Sequence, residues 1–262
     1  MTEWIIQYDK LIASITNLFV CASAVFVGFQ AKYLYNDYKK KNTKAEFENS
    51  FKLTSFYIND IIPKMEAIYL AFSLAGIDKT ISSKLEQKEL EYFDEEEFTK
   101  IFDNVKVEDL INSINNLETI KLIKVVSIFS EYSICDLNLK YNTYIEKCSA
   151  GEKNFREELL ATFWHNIAKV LNEFEYFAMY FNSNLAQSDV VYVSIHQTFT
   201  DCVRLLYPFF SQHNKRGNIT RKYYTNVKEL YIFWSKKESA FVQESKSALE
   251  AVDRKMGGNK KI

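Results

Sequence analysis

Two arginine–histidine pairs are the residues of this chain whose types are best suited to catalysis. Arg156 precedes His165, and Arg204 precedes His213, at the same separation. An arginine can stabilise the negative charge that develops on a phosphate while a histidine transfers a proton, and one class of helical ribonucleases separates the two by about four to six residues. Here eight residues separate the members of each pair. The usual motif is therefore absent, and a divergent, membrane-tethered helical ribonuclease that uses these four residues is an alternative interpretation.

Other motifs of catalysis and ligand binding are also missing from the sequence. No phosphate-binding loop, nucleophile elbow or Rossmann glycine pattern occurs. The three histidines form no HxH or HExxH pattern, and the four cysteines form no CxxC pair. We therefore expect no metal and no cofactor, and the sequence favours a binding protein over an enzyme. The formal net charge of −1 comes from acids and bases spread along the chain, so nucleic-acid binding is not indicated.

A set of polar residues near the middle of two apolar helical patterns predicts a polar network in the core. Asn172 and Glu175 are three residues apart and would share one face of a mostly apolar helix. Asp201 and Arg204 stand on the next predicted helix. Buried polar groups need partners, so an antiparallel pairing of the two helices is expected to bring Glu175 near Arg204. A structural ion pair is the favoured role for this network.

An acidic stretch at residues 86–97 lies within the segment with the weakest helical pattern, residues 77–105. We expect this segment to be an acidic, loop-rich insertion. Asp94 followed by Glu97 has the character of a helix N-cap and predicts a short helix from Glu95 to Phe102. The stretch is either a solvated acidic surface or a site for a divalent cation or a basic partner, and it lacks the ligand spacing of an EF-hand.

The composition predicts an all-α protein. Six Gly and two Pro in 262 residues argue against folds rich in tight turns. Apolar residues recur at three and four over long stretches, as in amphipathic helices. The pattern at 46–75 is one such helix, with a kink or break expected at Pro63, which lacks the N–H for a helical bond. Residues 155–184 are apolar around most of the helix and predict the central helix of the bundle.

The longest uncharged stretch, residues 11–31, predicts a single transmembrane helix. Hydrocarbon about 30 Å thick needs roughly 20 residues at 1.5 Å each. Its strongly apolar residues favour insertion by roughly 3–6 kcal/mol before the polar residues are subtracted. The expected organisation is an extracytoplasmic N-terminus at 1–10, the span at 11–31, a cytoplasmic helical-bundle domain at 32–253 and a basic flexible tail at 254–262. The alternative is a soluble helical scaffold whose first helix is buried.

Lysines that follow the predicted span set its orientation. They are Lys32, Lys39, Lys40, Lys41 and Lys44. Positive residues favour the cytoplasmic side, so the N-terminus would lie outside the bacterial inner membrane. The same lysines are expected to contact anionic lipid head groups.

One face of the predicted span carries small or polar residues at helical spacing. They are Ala13, Asn17, Cys21, Ala24 and Gly28. Small residues let helices approach closely in lipid, and an asparagine can form a hydrogen bond across the contact. We therefore expect a homo-oligomer that associates through this stripe.

Residues 166–236 resemble a bacterial family of uncharacterised function with one N-terminal membrane helix and a helical cytoplasmic part. The family motif Leu-Asn-x-Phe-Glu-x-x-Ala is matched by Leu171, Asn172, Phe174, Glu175 and Ala178. Pro208 in the next helix and Trp234 at the end of an aromatic helix match further features. Asn182 and Asn184 stand where the family usually has glycine, and Lys215 and Arg216 come later than its basic residue. Similar anchored proteins are associated with abortive infection and other phage defence. The resemblance implies a membrane-anchored interaction or effector protein.

Overall fold

A computed structural model describes the chain at residues 32, 36, 39–85, 88–103, 105–129, 133–147, 151–214 and 222–257. The chain divides into two units, Met1–Glu48 and Asn49–Ile262. In the first unit the described residues are helical. In the second, the described residues form helices joined by short connections and no strand. The prediction of an all-α helical bundle is confirmed for the described residues.

The helices of the second unit pack side by side around one apolar core. They are α1 (49–56), α2 (Ile62–Leu74), α3 (Asp78–Leu85), α4 (Glu95–Ile101), α5 (Val107–Asn115), α6 (Thr119–Phe129), α7 (Ile134–Lys147), α8 (Gly151–Asn182), α9 (Ser188–His213) and α10 (Thr225–Gly257).

The sequence predicts a kink or a break at Pro63, but the structure has a wider helical turn before it and the helix continues. A π-helical turn, Tyr57–Ile61, joins α1 to α2, and Pro63 stands in the first turn of α2. The N–H of Ile62 donates to the carbonyl of Tyr57, five residues back. The wider turn accommodates the missing proline N–H without ending the helix. At the other end of α2, Gly76 has a φ of +74° and closes the helix in a Schellman motif.

Residues 77–105 are more ordered than the sequence suggests. They contain α3 and α4, and they bury Ile81, Leu85, Phe93 and Phe98 almost completely. Most of its apolar residues therefore enter the core, whereas Tyr92 and Val105 are exposed and residues 88–94, between α3 and α4, are not helical. The short helix that starts after Asp94 is confirmed, and the Asp94 carboxylate accepts from the N–H of Glu97 at 2.9 Å.

The stretch from 117 to 147, which the apolar pattern predicts as one helix, forms two. Ser133 and Asp136 form a capping box at the start of α7: the N–H of Ser133 donates to the Asp136 carboxylate at 3.0 Å, and the N–H of Asp136 donates to the Ser133 hydroxyl at 3.2 Å. This reciprocal cap starts a new helix within a continuous apolar pattern.

The prediction that residues 155–184 form the central helix is confirmed by α8, which packs against α2, α6, α7, α9 and α10. Phe174 and Phe177 of α8 meet Phe199 of α9, each with ring centroids 5.7 Å apart. Trp234 of α10 lies 4.9 Å from the Phe199 ring and donates from its indole N–H to the Ser188 hydroxyl at 2.9 Å. Aromatic contacts of this kind position α8, α9 and α10 against one another.

None of the described helices combines the length and the hydropathy needed to cross a bilayer. The predicted span at 11–31, the small-residue stripe within it and the N-terminal residues 1–10 lie outside the described residues. Residues 254–257 of the predicted tail belong to α10, and residues 258–262 are also outside the described part.

Candidate functional site

Glu175 of α8 caps the N-terminus of α10. Its carboxylate accepts from the N–H of Asn226 at 3.2 Å, from the Asn226 side-chain amide at 2.7 Å and from the N–H of Val227 at 3.1 Å. These N–H groups belong to the first turn of α10, where no carbonyl of the helix can pair with them. A carboxylate also lies favourably at the positive end of the helix dipole. Glu175 therefore joins α8 to the start of α10.

The predicted polar core network does not form as expected. Arg204 pairs with Asp201 of its own helix at 3.2 Å, and it lies within hydrogen-bonding reach of Tyr231. Asn172 and Asp201 are exposed. The expected pairing of Glu175 with Arg204 is wrong, because the Glu175 carboxylate instead accepts hydrogen bonds from the N-terminus of α10. The pattern correctly identified Glu175 as a polar residue joining helices, but it assigned the wrong partner.

Arg156 binds the end of α5. Its guanidinium donates to the carbonyls of Asn115 and Leu117, with the Nε–oxygen distance to Leu117 at 3.3 Å. Trp164, two turns further along α8, donates its indole N–H to the Asn115 side chain at 2.9 Å. A cation at a helix C-terminus pairs with carbonyls that the helix leaves unbonded. This structural role accounts for Arg156 without any catalytic function.

The histidines of the two arginine–histidine pairs occupy unlike surroundings. His165 is exposed on α8. His213 lies at the end of α9 beside Tyr223 and Tyr224, with ring centroids 6.4 and 5.7 Å apart. Desolvation lowers the pKa of His213, although the residue as a whole is exposed. Among the described residues, the structure therefore gives these histidines no shared acid–base arrangement with Arg156 or Arg204.

Glu97 is the polar anchor that sequence reasoning missed. Its carboxylate accepts from the backbone N–H groups of Glu91, Tyr92 and Phe93 at 2.7, 3.1 and 2.7 Å, and from the Tyr207 hydroxyl at 2.8 Å. Burial, with Glu97 beside it, raises the pKa of Tyr207. Glu97 thus fixes the turn before α4 to α9. The sequence places Glu97 three residues after the N-cap residue Asp94. It does not show that the Tyr207 hydroxyl of α9 reaches the same carboxylate.

In its described part, residues 88–97, the acidic stretch does not gather its carboxylates into a metal site. No cluster of three or more metal-ligating side chains occurs among the described residues. Lys84 pairs with Asp103, and Lys100 pairs with Glu96 at 2.9 Å. Within the stretch, Glu97 therefore binds backbone N–H groups and Glu96 forms a surface ion pair.

The lysines that follow the predicted span are exposed at every position: Lys32, Lys39, Lys40, Lys41 and Lys44. The last four lie in the helical stretch 39–48 of the first unit. Lys44 is 3.8 Å from Glu48 one turn away, with both side chains largely exposed. These exposed lysines form the first candidate interaction site.

A second candidate interaction site is the distal part of α10. All described side chains from residue 239 to residue 247 are exposed. Phe241 is 69% exposed and Val242 is 44% exposed. Two adjacent large apolar side chains in solvent make this part of α10 a candidate contact surface. The sequence pattern extends the helix through this region but does not show that the core ends before it.

Comparison with known proteins identifies no relative of this chain. It matches no protein-family model, no curated protein and no solved structure. The resemblance to an anchored bacterial family therefore stays a prediction.

Proposed function

We propose that this chain is a membrane-anchored helical interaction protein, with an effector role in defence against phage. In this proposal residues 11–31 hold the chain in the bacterial inner membrane with the N-terminus outside. The lysine-rich helical segment contacts anionic lipid, and the unit Asn49–Ile262 is cytoplasmic and contacts protein. Association of copies in the membrane through the small-residue stripe would produce the effector response.

The exposure of the five lysines supports this proposal most directly. A lysine near an anionic membrane surface contributes about 1 kcal/mol of binding energy, which falls off within a Debye length of about 10 Å at 0.1 M salt. The lysines follow an uncharged stretch of bilayer length. That order of an apolar segment and exposed cations is the arrangement expected for a juxtamembrane helix.

The polar residues of the second unit also favour an interaction protein over an enzyme. Glu175 and Glu97 bind backbone N–H groups, and Arg156 binds backbone carbonyls. Each is committed to joining two elements of the fold. Large apolar side chains are exposed on several elements, among them Val193, Leu139 and Phe241, and such side chains suit contact with another protein.

Membrane fractionation of the full chain tests the anchor. We expect the protein to stay in the membrane pellet after carbonate or high-salt washing and to leave it in detergent. Val20→Lys combined with Phe26→Lys should move it to the soluble fraction, because a charged residue costs about 2.5–3.5 kcal/mol near the centre of a span. Val193→Lys, at an exposed site on α9, is the matched control and should leave the protein in the pellet. Release of the unaltered chain by carbonate alone would refute the span.

The lysines and the effector role need separate measurements. Replacing all five lysines with glutamine should reduce binding to anionic vesicles at low salt while a neutral vesicle shows little change. For the effector role, expression should lower phage plating and depolarise infected cells. Normal plating and membrane potential with a correctly inserted protein would remove the defence role but keep the anchor.

A further inference from the structure

We draw no further inference here: the strongest candidate, the surface patch of Phe241 and Val242 on the exposed distal part of α10, is an apolar face for which nothing in the structure shows what covers it.

Discussion

Removal of the Glu175 carboxylate should destabilise the junction between α8 and α10. Glu175→Ala deletes the acceptor for two backbone N–H groups and one side-chain amide, at 3.2, 3.1 and 2.7 Å. Hydrogen bonds to a charged group contribute about 1.5–3 kcal/mol each, but the contributions are not additive. Water can also reach this part-buried site and replace some of the lost bonds. We therefore expect a loss of about 3 kcal/mol in the free energy of unfolding, within the combined range of one such bond and a helix cap.

A conservative change separates charge from packing. Glu175→Gln keeps the shape and one carbonyl oxygen, but its amide N–H₂ faces backbone donors. Its expected loss is about half of that for Glu175→Ala, by the difference between charged and neutral hydrogen bonds. Glu157→Ala is the matched control, because Glu157 stands on the same helix with its side chain 63% exposed and its nearest ammonium 4.0 Å away. Surface changes of that kind stay within about 0.5 kcal/mol.

Thermal and chemical denaturation of the detergent-solubilised full chain provide the first measurement. At this chain size a loss of 3 kcal/mol lowers Tm by about 6–12 °C. Hydrogen exchange then locates the effect: the amides of Asn226 and Val227 should lose protection first, since their acceptor is gone. If Glu175→Ala and Glu157→Ala melt within about 1 °C of each other, Glu175 does not stabilise α10 and this reasoning fails.

Three further changes test the packing of the second unit. Lys64→Met or Glu173→Met alone should lower the free energy of unfolding by about 2–4 kcal/mol, because each leaves one member of an ion pair without its partner at a site where the two side chains are only 20% and 15% exposed. The double methionine variant should lose less than either single variant. Additive losses in urea denaturation would contradict this. Gly151→Ala should lower the free energy of unfolding by about 1–3 kcal/mol, because the added Cβ would lie 1.9 Å from a backbone oxygen of α7. This clash should outweigh the higher helix propensity of alanine. A gain in Tm would refute that close approach. Burial raises the pKa of Cys202 to about 12, so peptide mapping should find Cys202 protected from alkylation at pH 8 while exposed Cys135 reacts, and equal labelling would argue against burial. Because folding favours the neutral Cys202 thiol, its stabilising contribution is complete below the ordinary thiol pKa and is lost as pH rises toward about 12.

Local sequence patterns predicted the elements that depend on local physics. The long apolar pattern at 155–184 became α8, and Pro63 altered its helix because a missing N–H acts within one turn. Asp94 capped α4 as expected, since its acceptor and donor are three residues apart. In each case the interaction that decides the structure lies within a few neighbouring residues.

Contacts between distant residues were beyond these patterns. Glu175 was expected to meet Arg204, but it caps α10, whose first turn lies more than 50 residues away in sequence. Residues 77–105 have the weakest helical pattern of the chain, yet Phe93 and Phe98 of this segment pack in the core beside Tyr207. Periodicity states which side of a helix is apolar, but not which neighbour covers it.

The sequence by itself determined that the described part of the chain is helical, that α4 starts after its capping residue Asp94, and that an uncharged stretch precedes five lysines. These properties follow from backbone hydrogen bonding, side-chain period and charge, which act locally. Only the tertiary structure decided that Glu97 and Glu175 join distant elements and that α10 extends beyond the apolar core. Those outcomes depend on where helices from separate parts of the chain pack against one another. A side chain is buried by its neighbours on other helices, so its burial cannot be read from one helix alone.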